Sequence, residues 1–94
     1  MKIRWSPTAI SDVESIREYI AQDSPSAARR VAQTIKESVS RLRSFPLSGK
    51  VGRVPGTREL VIPGTSYIAA YKINPDEVVI AAVLHGRQEW PKLF

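Results

Sequence analysis

Residues 5–46 read WSPTAISDVESIREYIAQDSPSAARRVAQTIKESVSRLRSFP, and this stretch decides the fold. It holds two Ser-Pro pairs, Ser6-Pro7 and Ser24-Pro25. A serine hydroxyl caps free N–H groups at a helix start, and proline fits the first helical position, where its missing N–H costs nothing. After the first pair, Ala9, Val13, Ile16 and Ile20 fall at spacings of four, three and four, an apolar helix stripe. Asp12, Glu14, Arg17 and Glu18 lie largely on the other side and read as solvating charges. After the second pair the stripe is Ala28, Val31, Ile35, Val39 and Leu42, with Arg29, Arg30, Gln33, Lys36, Glu37 and Ser40 turned away. The first helix therefore ends near Asp23 and the second begins at once. So short a link predicts an antiparallel hairpin with one shared apolar face. Phe45-Pro46 ends the second helix, because a residue before proline is pushed out of the α region.

Outward from the hairpin, Lys2–Trp5 is a short apolar–basic alternation and reads as an edge strand. Residues 46–55 carry Gly49, Lys50, Gly52 and Arg53 between prolines, which predicts a basic loop. Thr57–Ile62 alternates as a strand does, and Pro63-Gly64 punctuates it. Tyr67–Ile73 is a second strand with Tyr67, Ala69, Tyr71 and Ile73 on one face. Asn74-Pro75-Asp76 is a turn. Val78–Leu84 is apolar throughout, as a strand covered on both faces or centred in a sheet would be. Tight turns make these three strands an antiparallel meander, and its apolar face needs the cover that the hairpin supplies. The expectation is one α+β domain over residues 1–94, in the order β-α-α-β-β-β, with the other sheet face partly open.

Composition removes several chemistries. The 94 residues include no cysteine and a single histidine, so thiolate nucleophiles, disulfides and multi-histidine metal sites are excluded. No glycine loop opens a helix after a strand, so no nucleotide or other cofactor is expected. No apolar run approaches membrane-spanning length and Met1–Trp5 is no secretory leader, so the expected compartment is the cytoplasm, without membrane contact. The net charge of +5 is concentrated: residues 29–58 carry +7, and the segments on either side carry −1 each. Such a field attracts nucleic acid or an acidic protein, and equally describes a solvated helix beside a charged loop.

His85, directly after the most apolar strand, is the one side chain suited to general acid–base work near neutrality. The alternative is a hydrogen bond to a nearby carbonyl. Arg58 and Arg87 at strand ends would converge on a phosphate or carboxylate, or else pair with Glu59 or Glu89. Lys50, Arg53, Gln88 and Trp90 complete the candidate surface for nucleic acid or a protein target. Trp90 and Phe94 would stack on a base, although packing on the sheet edge is the simpler role for Trp90. Tyr67 and Tyr71 read as core residues with hydroxyls at its margin.

Several motifs along the chain resemble the RelE/ParE superfamily of small bacterial toxins. They are Trp5-Ser6-Pro7-x-Ala9, Ile16-x-x-Tyr19-Ile20, Phe45-Pro46-x-x-Gly49, Val54-Pro55-Gly56-Thr57-Arg58-Glu59-Leu60, Tyr67-x-x-x-Tyr71 and Val83–Pro91. The resemblance implies a toxin encoded beside a cognate antitoxin, with the strand–hairpin–meander fold. RelE-like members cleave mRNA in the ribosomal A site, and ParE-like members poison DNA gyrase. Where the RelE pattern has two lysines on the first meander strand, this chain has Glu59 and Val61. Ile68 stands where that pattern has an arginine, Gln88 where it has another (with Arg87 adjacent), and Phe94 in place of a terminal tyrosine. The Pro-Gly-x-Arg-Glu segment and the His85-x-Arg87-x-x-x-Pro91 ending look closer to ParE. The resemblance thus implies a gyrase inhibitor. The first alternative is a ribosome-dependent mRNA endonuclease using His85, Arg87 and Arg58; the second is a non-toxic co-repressor. The implied antitoxin would cover the helical hairpin and sheet margin through apolar anchors with Arg/Lys pairing at the rim. Operator DNA would be reached only through the antitoxin, because this chain has no helix-turn-helix signal.

Overall fold

Both Ser-Pro pairs start helices in the computed structural model, which describes all 94 residues. Helix α1 spans Pro7–Ala21 and α2 spans Pro25–Ser40; the Ser6 and Ser24 hydroxyls accept from the amides of Ala9 and Ala27. Beyond α2 the chain tightens into a 3₁₀ turn, Arg41–Arg43, so the α-helix ends several residues before the proline that was expected to stop it. Leu42 in that turn is fully buried and extends the apolar stripe. The centre of the α2 stripe also shifts: Ala28, Ala32, Ile35, Val39 and Leu42 are buried, while Val31 is only half-buried. Ala9, Ala28 and Ala32 leave little side-chain bulk between the packed helices.

The strands are β1 (Lys2–Trp5), β2 (Lys50–Val51), β3 (Arg58–Val61), β4 (Tyr67–Ile73) and β5 (Glu77–His85), in the sheet order β1-β5-β4-β3-β2. The meander β3–β4–β5 is antiparallel as expected, and β1 joins its far side parallel to β5. One expectation fails here. The basic loop contains a two-residue strand, β2, paired antiparallel with Arg58 and Glu59, so the sheet has five strands. Two residues are too short for alternation to reveal a strand.

One sheet face packs on the hairpin. Ala69, Tyr71, Val78, Ile80 and Val83 form the core with Val13, Ile35, Val39 and Leu42, and Ile3, Trp5, Leu60 and Tyr67 lie at its margin. A register shift places Ala70 opposite Ala82 but Tyr71 opposite Ile80, so Ala81 is an extra residue, a bulge. The bulge changes the phase of β5. Val78 and Ile80 face the helices before it, and Val83 and His85 face them after it.

β1 stops opposite Ile80, which leaves the outer edge of β5 without a strand partner beyond that point. Helix α1 supplies the missing partners. The Ser6 hydroxyl donates to the Ala81 carbonyl at 2.9 Å, and the Asp12 carboxylate accepts from the Val83 amide at 2.9 Å. Asp12 is therefore an edge cap for the sheet rather than a solvating charge, because a backbone N–H left unpaired at that edge is costly.

Candidate functional site

Three surfaces carry the chemistry. The first is the sheet face away from the helices, expected to be partly open. Alternation and register place Glu59, Val61, Ile68, Ala70, Lys72 and Ala82 on it. Glu59 is only 2 % exposed and accepts from the Arg53 amide (2.7 Å), Nε (3.0 Å) and Nη2 (3.1 Å). Burial alone would raise the Glu59 carboxyl. The hydrogen bonds and charge of Arg53, with Lys50 nearby, outweigh it and hold the group below the usual carboxylate range. The Arg53 guanidinium also stacks 3.9 Å from the centre of the Trp90 ring, and Trp90 Nε1 donates to the His85 carbonyl at 3.2 Å. The C-terminal tail then reaches Lys72, whose Nζ donates to the Phe94 carbonyl at 2.7 Å. Around Glu59, Ala70 and Ala82 this face is closed by its own tail, with Val61 left exposed at its margin, and both of its inner cations, Arg53 and Lys72, are already engaged.

The second surface lies where β4 and β5 meet the β3–β4 turn. A depression of 440 Å³ is lined there by residues including Thr65, Ser66, Tyr67, His85 and Arg87. The His85 ring meets Tyr67 edge-on, with centroids 5.7 Å apart and planes at 84°. Its Nδ1 accepts from the Arg87 amide at 3.1 Å, which places the proton of the neutral ring on Nε2. Gln88 Oε1 accepts from the His85 amide at 2.7 Å, so Gln88 braces the strand end. Sequence reasoning missed Thr65 and Ser66, because only the Tyr67–His85 register brings that turn to the histidine.

The third surface is a groove of 350 Å³ across the helical hairpin. Its floor is Trp5, Val13 and Ala32, with Ile10 exposed at its lip. Glu14, Arg17 and Lys36 form the rim, and Glu14 pairs with Arg17. An apolar floor with a charged rim fits an amphipathic segment laid along it.

The residues expected to form one site are divided. His85, Arg87, Gln88 and Trp90 cluster at the end of β5. Arg58 does not join them. It sits opposite Tyr71 and donates from Nη1 to the Gly49 carbonyl at 2.6 Å. Tyr71 and Tyr67 are four residues apart on β4, about 13 Å at 3.3 Å per residue, so Arg58 and Arg87 do not converge on one phosphate. Neither pairs with Glu59 or Glu89; Glu59 belongs to Arg53. Arg53 and Trp90 face each other, and Lys50 is exposed on β2. No three His, Asp or Glu side chains stand close enough together to hold a metal ion. No helix is long and apolar enough to cross a membrane.

Comparison with known proteins gives a consistent set of likenesses. Residues 3–90 match the family model described as the ParE toxin of the type II toxin–antitoxin system parDE. The protein named "Putative toxin Y4kP" of Sinorhizobium fredii is 41% identical over 93 residues, which covers 99% of this chain and 96% of that one. Toxin RelE2 of Caulobacter vibrioides is 30% identical over 85 residues, 90% of this chain and 94% of that one. Among solved structures, the chromosomal ParDE system of P. aeruginosa superposes with a TM-score of 0.80 at 26% identity, over 88% of this chain and 92% of that one. The RelBE2 toxin–antitoxin complex of Mycobacterium tuberculosis superposes with a TM-score of 0.60 at 25% identity, over 89% and 95%.

Proposed function

This chain belongs to the ParE toxin family of type II toxin–antitoxin systems, and we propose that it acts by binding DNA gyrase rather than by cutting RNA. The observation that carries this reading is the closed sheet face. Cleaving a phosphodiester needs free groups that orient the 2′-hydroxyl and stabilise charge on the phosphate. On that face the positions matching the RelE lysines hold Glu59 and Val61, with Ile68 opposite Val61. The two inner cations are bound to Glu59 and to the Phe94 carbonyl. Such a surface recognises a partner by shape and fixed charge.

A cognate antitoxin is the second partner in this reading, with its amphipathic segment in the groove between α1 and α2. Ile10 would contact its apolar side and Lys36 its acidic side. Operator DNA would be reached through that antitoxin.

The RelE-like alternative has one observation in its favour, the depression at His85. The free Nε2, the Tyr67 ring and Arg87 stand together there. Two assays separate the readings. Purified toxin should block supercoiling of relaxed plasmid by gyrase, and mRNA should stay intact in a reconstituted translation reaction. New 5′ ends at A-site codons that need ribosomes, and disappear with His85→Ala, would overturn the gyrase reading.

A further inference from the structure

Phe45-Pro46-x-x-Gly49 is a motif that neither surface of the proposed function uses. Phe45 is 66% exposed and Leu47 67% exposed, yet the loop that carries them is tightly held. The buried Tyr71 hydroxyl donates to the Pro46 carbonyl at 2.7 Å and accepts from the Gly49 amide at 2.9 Å. Gly49 itself has no room for a side chain, since a Cβ there would lie 2.6 Å from that hydroxyl and 2.7 Å from the Glu59 carbonyl. Arg58 adds a third tie through the Gly49 carbonyl. A buried tyrosine thus fixes the backbone that carries two large exposed apolar side chains, and a loop ordered before binding loses less entropy when a partner arrives.

Beside this loop runs a groove of 260 Å³. Phe45, Leu60, Val61 and Pro63 supply its apolar walls, and Val61 is 56% exposed. Arg41 is its one charged residue and makes no ion pair. No acidic side chain lines it. A single cation is too little to follow a phosphate backbone, and Leu60, Val61 and Pro63 surround the one aromatic ring, so the composition favours a protein over a nucleic acid.

We infer that this groove is a second protein-docking surface, separate from the helical groove, and that it takes an acidic segment of the toxin's target. An apolar side chain of that segment would seat against Phe45 and Val61, and a carboxylate would pair with Arg41. The inference rests on the toxin reading, not on which target is poisoned.

The test expresses the full chain with Phe45→Ser/Val61→Ser, or with Arg41→Glu, without its antitoxin, and follows growth arrest. Purified complexes give antitoxin affinity by calorimetry, and thermal melting checks the fold. Because the altered side chains are exposed, melting should be unchanged. Each variant should weaken growth arrest about tenfold or more, the scale expected of an interface anchor. Antitoxin affinity should stay within about threefold, since the two grooves share no lining residue. Undiminished arrest in both variants overturns the inference. So does an antitoxin affinity that falls in parallel with arrest, which would give the groove to the antitoxin. A free-toxin dimer that these substitutions dissociate would give it to a second copy. Loss of arrest with Arg41→Glu alone would mark a polyanion contact and overturn it too. The gyrase reading is judged separately, by whether the wild-type chain blocks supercoiling.

Discussion

The two faces of the sheet are closed by different physics. Toward the helices, Ala69, Tyr71, Val78, Ile80 and Val83 pack against α1 and α2, and the stabilisation comes from apolar area removed from water. Toward the tail, Ala70 and Ala82 lie under a polar lid in which Arg53 bridges Glu59 and Trp90, and Lys72 holds the Phe94 carbonyl. The first arrangement is insensitive to salt and, from acid to neutral, to pH. The second depends on charges that stay paired, so it is the face whose stability should respond to solution conditions.

Leu42→Ala tests the helix side most severely. It empties a fully buried site where α2 ends and should cost about 4 kcal/mol, within the range for buried leucines. Urea unfolding should show the same loss at pH 5 and pH 8. On the tail side, Arg53→Ala leaves the Glu59 carboxylate buried without its partner and should cost about 3 kcal/mol. The sign with pH follows from Glu59, whose folded value is depressed. Its contribution is present above the unfolded carboxylate value of about 4.3 and is lost as pH falls through the lower folded value. The gap between wild type and Arg53→Ala should therefore narrow on acidification, and a gap constant from pH 7 to pH 3 would remove the ion pair from the lid.

Tyr71→Phe removes a polar atom from the apolar side. It strands the Gly49 amide and Pro46 carbonyl and should cost about 2 kcal/mol by chemical denaturation. Burial pushes the Tyr71 phenol up, against the opposing Gly49 amide and Arg58 charge. Its contribution is therefore complete below the unfolded value of about 10 and fades as pH rises through the folded one. The two faces thus lose stability at opposite ends of the pH scale. The smallest effect should be Trp90→Leu, about 1 kcal/mol from the lost cation–π contact and Nε1 hydrogen bond. Tail protection in hydrogen exchange should fall more than global stability does.

How much of this was legible in the sequence depends on the range of the interaction. The helical hairpin was, because Ser6-Pro7 and Ser24-Pro25 act on N–H groups within three residues. The β4 face was too, since Tyr67, Ala69, Tyr71 and Ile73 alternate as they point. The candidate site was legible only in part. His85, Arg87, Gln88 and Trp90 are near one another in the chain and stay together. Strand ends alone group Arg58 with Arg87, and only the strand register separates them.

Sequence by itself determined the element order, the meander, the apolar hairpin face and the absence of thiol chemistry, because each follows from local caps, turns, periodicity or composition. Tertiary structure decided the rest. An all-apolar β5 gives no face to His85 until the bulge at Ala81 sets its phase. Asp12 looks solvated until β1 ends early and leaves the Val83 amide without a strand partner. Arg53 and Glu59 are two charges among many until β2 and β3 pair and the tail folds over them. Each of these depends on which distant backbone is adjacent, and adjacency is fixed only when the whole sheet closes on its core.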